Sequence, residues 1–96
     1  MTSGRYGAHR NLREVRFFCV AETATAVSVV GDFNEWEPGA NPMTQTPDGA
    51  WAATVALRHG HHRYAFWVDG QLTLDPRAQG VTRNDRGERV SLVPVS

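Results

Sequence analysis

Val30-Gly31-Asp32-Phe33-Asn34-Glu35-Trp36 is a short β-type run that ends in a turn, and Tyr64-Ala65-Phe66-Trp67-Val68-Asp69-Gly70-Gln71 is a second run that ends in another turn. Asp69-Gly70 between β-prone residues favours a type I′ hairpin turn, because that turn requires φ > 0 at both central positions. In the first stretch, Asn34 is expected to pin the turn through its side chain. Both stretches therefore predict short strands joined by tight turns.

Short β-type runs continue on either side of these stretches. Alternation of Trp51, Ala53, Val55 and Leu57 with the residues between them is typical of a strand with one buried face. Pro47-Asp48-Gly49 indicates a further turn, and Pro94 places the last strand at a sheet edge. About seven short strands, with no helical pattern of useful length, predict an antiparallel β-sandwich. The clearest runs span residues 14–20, 26–30, 51–57, 62–68, 71–74 and 89–95.

The paired motifs are similar to the signature GxFNxW followed by YxFxVDG, which is typical of family-48 carbohydrate-binding modules. The resemblance covers roughly residues 15–95. It implies an early-set immunoglobulin-like sandwich that binds glycogen, starch or maltooligosaccharides. Such modules are attached to branching enzymes, isoamylases and the β subunit of AMP-activated protein kinase.

A glucan site needs flat apolar platforms edged by hydrogen-bonding groups, because sugars present C–H faces and hydroxyl rims. The resemblance implies that Trp36 stacks on sugar, that Leu72 stands where relatives carry a second tryptophan, and that Ala65 stands where they carry Lys or Arg. Strand alternation puts Arg63, Ala65 and Trp67 on one face. Both Ala65 and Leu72 are expected at the surface. The candidate sugar-binding residues are Trp36, Leu72, Trp67, Arg63, Gln71 and Ala65.

Several of these assignments have structural alternatives. Trp36 could cover the sandwich edge, Trp67 could lie under a neighbouring loop, and Arg63 could be a solvated strand residue. Near the last strand, relatives place hydroxyl and amide groups where this chain has Glu88 and Val90. Core positions are expected for the other apolar residues of note, namely Cys19, Phe33 and Trp51.

Composition narrows the function further. The chain has 96 residues and no net charge, with ten acidic residues and ten basic residues that are all Arg. It therefore gives no electrostatic reason to expect nucleic acid or an anionic membrane. The lone Cys19, together with the absence of a leader pattern or of a ~20-residue apolar run, predicts a cytoplasmic protein. We expect residues 1–10 to form a flexible tail before one domain at 11–96.

Two rival chemistries are weak. His59-Gly60-His61-His62, with His9 far away, is expected at a hairpin turn, and adjacent strand histidines point to opposite faces, so no metal site is predicted. Glycosidase chemistry needs two carboxyl groups about 5–10 Å apart across a sugar bond. Asp32, Glu35 and Glu37 crowd on one turn without a cleft, so we expect no enzyme activity and no cofactor.

Two functional hypotheses remain. The first is a non-catalytic α-glucan-binding module. The second is a protein-interaction domain of the same fold that has lost most of its glucan affinity and docks on a glycogen-metabolising or regulatory partner. The partner is an α-glucan polysaccharide or oligosaccharide in the first hypothesis and a protein, such as a glycogen-metabolising enzyme, in the second.

Overall fold

The computed structural model describes residues 12–96, which form β-strands joined by turns. The tail expected over residues 1–10, His9 included, lies outside the described residues, and so does residue 11. Residues 12–96 contain no helical segment that could serve as a membrane span. The strands are β1 (Leu12–Val20), β2 (Val27–Gly31), β3 (Thr44–Gln45), β4 (Ala50–Arg58), β5 (Gly60–Val68), β6 (Gln71–Thr73), β7 (Gly80–Arg83) and β8 (Arg89–Val95).

The strands form two antiparallel sheets. The smaller sheet has the order β1-β4-β3, and the larger has the order β2-β5-β8-β7, with β6 paired to β5. The central strand β5 pairs with β2 through Val29 and Phe66, and with β8 through Arg63 and Leu92. The predicted antiparallel immunoglobulin-like β-sandwich is confirmed.

The core lies between the two sheets and draws on both. Trp51 and Leu57 on β4 and Tyr64 and Phe66 on β5 are buried in it, as the alternation of these strands predicts. The Trp51 indole Nε1–H donates a hydrogen bond to the Ala21 carbonyl at 2.9 Å, so its polar atom is satisfied inside the core. The expected core positions of Trp51 and Cys19 are confirmed. Phe33 is partly buried against this cluster.

The Asp69-Gly70 turn between β5 and β6 has the conformation that the sequence predicts. Asp69 has φ 48° and Gly70 has φ 85°, as a type I′ turn requires. The Asp69 carboxylate also accepts hydrogen bonds from the backbone N–H groups of Thr25 and Ala26, both at 2.9 Å. The turn is thereby fastened to the segment that enters β2.

The expected number of about seven strands agrees with the eight observed, but the six runs located in the sequence omit the two-residue β3 and the four-residue β7. Two further expectations about the strands were wrong. Strand β8 is an inner strand between β5 and β7, although Pro94 lies beyond the stretch that β7 pairs, so that only β5 flanks the strand at this residue. His59 alone separates β4 from β5, which lie in different sheets, so the histidine run marks a corner between sheets and not a hairpin.

Candidate functional site

A groove of about 280 Å³ lies on the outer face of the larger sheet. Its floor is a small buried cluster formed by Val30, Ala65 and Val90, which come from β2, β5 and β8. Trp36, Trp67 and Leu72 pack over this floor. The strand register explains the grouping, because Val30 pairs with Ala65 and Trp67 pairs with Leu72.

The turn after β2 carries Trp36 to the groove. The Gly31 carbonyl accepts hydrogen bonds from the N–H groups of Asn34 at 3.1 Å and Trp36 at 2.9 Å. The Asn34 side chain closes the turn, because its Oδ1 accepts from the Gly31 N–H at 2.9 Å and its Nδ2 donates to Val29 O at 3.1 Å and Asn41 Oδ1 at 2.7 Å. The expectation that Asn34 pins this turn is confirmed.

Two consecutive residues of this turn have a left-handed backbone. Glu35 has φ 58° and Trp36 has φ 59°, a conformation that costs an L-residue about 1–2 kcal/mol. Such strain persists only where the surrounding contacts fix it, and here the Asn34 bonds and the packing of Trp36 do so. The strained pair directs the Trp36 side chain toward the floor of the groove.

Gly31 is required here by close packing. A Cβ on this residue would lie 2.6 Å from the Arg63 carbonyl oxygen and would also clash with the Phe33 ring. Phe33 in turn stacks on Phe17 of β1 with ring centroids 6.0 Å apart, which anchors the turn to the core. The first glycine of the motif therefore permits the close approach of β2 to β5 beneath the groove.

The loop between β7 and β8 forms the opposite wall. Asn84 organises it, because its Oδ1 accepts from the N–H groups of Arg86 at 3.0 Å and Glu88 at 2.9 Å, while its Nδ2 donates to Glu88 Oε1 at 2.9 Å. The Asn84 amide is thus occupied by its own loop. The polar groups left on the rim of the groove belong to Glu35, Asp85, Arg86 and Glu88.

The structure brings together three of the candidate residues, Trp36, Trp67 and Leu72. Ala65 lies beneath them with no exposed surface, so the expectation that it sits at the surface was wrong, because the two indoles and Leu72 cover it. Arg63 does not line the groove. Its guanidinium donates to the Arg83 carbonyl at 3.1 Å, near Asp85.

The remaining positions singled out from the sequence lie in three places: outside the groove, at its rim and in its floor. Gln71 is an exposed hairpin residue that does not line the groove. Of the two positions near the last strand, Glu88 lines the groove, while Val90 is fully buried in the floor. Glu35, Asp85 and Arg86 are groove residues that the sequence reasoning missed, and their only signal is their place in the two turns.

The chemistry of the neighbouring polar groups is structural. The Asp32 carboxylate accepts the Arg63 backbone N–H at 3.0 Å, and His62 Nε2–H donates to the Arg58 carbonyl at 2.8 Å. No group of three His, Cys, Asp or Glu side chains within residues 12–96 could hold a metal ion. Burial, followed by the charge of Asp75, raises the pKa of the Cys19 thiol, so it stays protonated in the core.

Comparison with known proteins places this arrangement in a family. The sequence model of the family named carbohydrate-binding module 48 (isoamylase N-terminal domain) matches residues 5–85 of this chain. The chain belongs to this family. It is a carbohydrate-binding module, and its resemblance to the family is confirmed.

Bacterial branching enzymes are among the relatives of this module. It is 40% identical over 73 residues to a 1,4-alpha-glucan branching enzyme of Xanthomonas campestris pv. campestris strain 8004, covering 71% of the chain and 10% of the enzyme. The corresponding enzyme of Deinococcus radiodurans is 40% identical over 68 residues, 67% of the chain and 10% of the enzyme. That of Lactiplantibacillus plantarum is 35% identical over 81 residues, 79% of the chain and 13% of the enzyme. The module thus spans about a tenth of these relatives.

Proposed function

We propose that this chain is a non-catalytic module that binds α-glucan, as glycogen, starch-like polymer or maltooligosaccharide, in the groove of Trp36, Trp67 and Leu72. The relatives are by name 1,4-alpha-glucan branching enzymes, which supports the choice of glucan. The observation that carries the proposal is the difference in environment between the indoles of Trp36 and Trp67, which line the groove, and the indole of Trp51, which lies in the core.

Trp51 has its indole N–H bonded to Ala21 inside the core. In the described part of the chain, no residue accepts a hydrogen bond from the indole N–H of Trp36 or Trp67, and both rings line an open groove. An indole with a partly exposed face and an available donor suits a sugar, whose C–H face packs on the ring while a hydroxyl accepts the N–H. Leu72, directly across from Trp67, extends the apolar platform.

The rim offers polar groups of both charges. Glu35, Asp85 and Glu88 supply carboxylate acceptors and Arg86 supplies guanidinium donors around the apolar floor. Ala65 provides no donor from below, because it is a buried methyl group. Each lost hydrogen bond removes about 0.5–1.5 kcal/mol, and about 1.4 kcal/mol is tenfold in affinity, so we expect weak binding of single oligosaccharides.

Calorimetric titration with maltoheptaose tests the proposal. Trp36→Ala and Trp67→Ala should each weaken binding by about three- to tenfold, the value of losing one stacked ring. Trp51→Phe is the matched control, since it alters a tryptophan in the core and leaves the groove intact. If wild-type protein gives no heat with maltoheptaose and is not retarded in glycogen gels, the proposal fails.

A second candidate function is docking on a glycogen-metabolising or regulatory enzyme. It is favoured by the position of Ala65, which leaves the floor of the groove without a polar group. In that case a protein side chain, and not a sugar, would occupy the platform of Trp36 and Trp67. A purified branching enzyme mixed with the chain should then quench tryptophan fluorescence in wild type and not in Trp36→Ala, while maltoheptaose has no effect on either.

A further inference from the structure

Strand β1 exposes more apolar surface than its place in the sheet explains. The large hydrophobic side chains exposed in residues 12–96 are Leu12 (38%), Phe18 (41%), Val20 (69%) and Val81 (51%), so three of the four lie on β1. This strand is nine residues long and stands at the end of the order β1-β4-β3. Among the described residues, its outer edge therefore carries backbone groups without a neighbouring strand. A long apolar edge of this kind is a template for pairing with another strand.

We propose that β1 pairs antiparallel with β1 of a second copy of this chain, around a two-fold axis at Val15. This register places Leu12 opposite Phe18 and Glu14 opposite Arg16, twice each by symmetry. All four residues lie on the outer face of the strand, because side chains two apart share a face. Apolar and oppositely charged cross-strand pairs are the ones that stabilise an antiparallel ladder.

The charges favour this register over its neighbours. In an allowed register, outer-face residues of one copy lie opposite outer-face residues of the other, so that each face of the sheet continues across the dimer. Moving the axis one residue toward the N-terminus sets Glu14 opposite Glu14, and moving it one residue the other way sets Arg16 opposite Arg16. Both arrangements bring like charges together, which destabilises a cross-strand pair. Arg16 already lies over the Phe18 ring, 4.9 Å from its centroid, so the guanidinium is held on the outer face.

The dimer would also affect glucan binding, an inference that rests on the proposed function. An axis perpendicular to the smaller sheet leaves the outer faces of both larger sheets on the same side of the pair. The two grooves of Trp36 and Trp67 would then face one surface together. Two linked sites bind a polymer more tightly than either site alone, without any new contact to sugar. The inferred dimer would therefore favour polymers over short oligosaccharides.

Sedimentation velocity over a range of concentrations tests the pairing in the full 96-residue chain. Glu14→Arg and Arg16→Glu should each raise the dimer dissociation constant about tenfold, because each replaces two attractive pairs with two repulsive ones. The double variant Glu14→Arg/Arg16→Glu restores opposite charges and should return to within about threefold of wild type. Glu37→Arg is the matched control, since it makes the same charge change on the turn of the larger sheet. Thermal melting followed by circular dichroism verifies that every variant is folded.

Three outcomes overturn the pairing: a wild type that stays monomeric at every concentration, single variants that dimerise like wild type, or a double variant that does not recover. Titration with maltoheptaose separates this failure from failure of the proposed function. If only the dimer is wrong, every variant still binds maltoheptaose as wild type does. If only the glucan site is wrong, the charge-swap series still behaves as described while no variant binds sugar.

Discussion

Replacing Asn34 with alanine should destabilise the protein strongly, because its amide bonds to backbone that water cannot reach. The substitution leaves the Gly31 N–H and the Val29 carbonyl without the side-chain partners that they have at 2.9 and 3.1 Å. Both residues are buried. An unsatisfied buried group costs about 1–3 kcal/mol, so we expect Asn34→Ala to lower the free energy of unfolding by about 2–4 kcal/mol. For a domain of this size, that corresponds to a fall in Tm of about 10 °C or more.

Asn84→Ala is a matched control for that change. Asn84 also makes three side-chain hydrogen bonds, but its partners Arg86 and Glu88 are exposed and can bond to water instead. We expect this substitution to cost only about 0.5–1.5 kcal/mol. Urea unfolding of both variants, followed by circular dichroism, gives the comparison. If Asn34→Ala and Asn84→Ala lower the free energy of unfolding by the same amount within error, burial of the bonded backbone does not explain the contribution of Asn34 to stability, and the reasoning is refuted.

Other substitutions test the core, the buried phenol and the platform. Trp51→Ala should cost about 3–5 kcal/mol in urea unfolding, and a cost below 1 kcal/mol would contradict its core position. Burial, followed by the hydrogen bond to Asp75, raises the pKa of Tyr64. The protonated phenol therefore contributes its full stabilisation below the pKa of an unfolded tyrosine, about 10, and this contribution is lost as the pH rises above that value. The chain has no Lys, but Cys19 also has a raised pKa, so Tyr64→Phe should reduce the loss of stability above about pH 10 without abolishing it. An unchanged profile would assign the slope to other groups. Leu72→Trp should tighten maltoheptaose binding about three- to tenfold by calorimetry, and unchanged affinity would remove Leu72 from the site.

The sequence predicted those parts of the fold that local patterns determine. Alternation along β4 and β5 identifies the buried faces, and Asp69-Gly70 identifies a turn whose φ values have few alternatives. Strand β3 was not predicted because it consists of only two residues, Thr44 and Gln45, which are too few to show an alternating pattern. Pro94 led to a wrong prediction because the preference of proline for sheet edges applies to the one residue and not to the whole strand. Strand β7 pairs with β8 only as far as Leu92, so Pro94 lies outside that pairing while β8 is still an inner strand.

The candidate site was predictable in its platform and not in its walls. Alternation places Ala65 and Trp67 on one face, but it cannot tell that Trp36 and Leu72, from other strands and turns, will cover Ala65 completely. The Asn84–Glu88 loop reaches the groove only through the pairing of β7 with β8, which is a tertiary contact. Arg63 is drawn away by the Arg83 carbonyl, 20 residues along the chain, which no local pattern records.

The two asparagine-organised turns bear on the entropy of ligand binding. Because Asn34 and Asn84 already fix the backbone on both sides of the groove, a ligand entering it orders little main chain. The loss of freedom on binding then falls on the long exposed side chains of the rim, Glu35 and Arg86, at about 0.5–1.5 kcal/mol for each one immobilised. Shortening those two side chains should make the binding entropy less unfavourable even where it removes contacts.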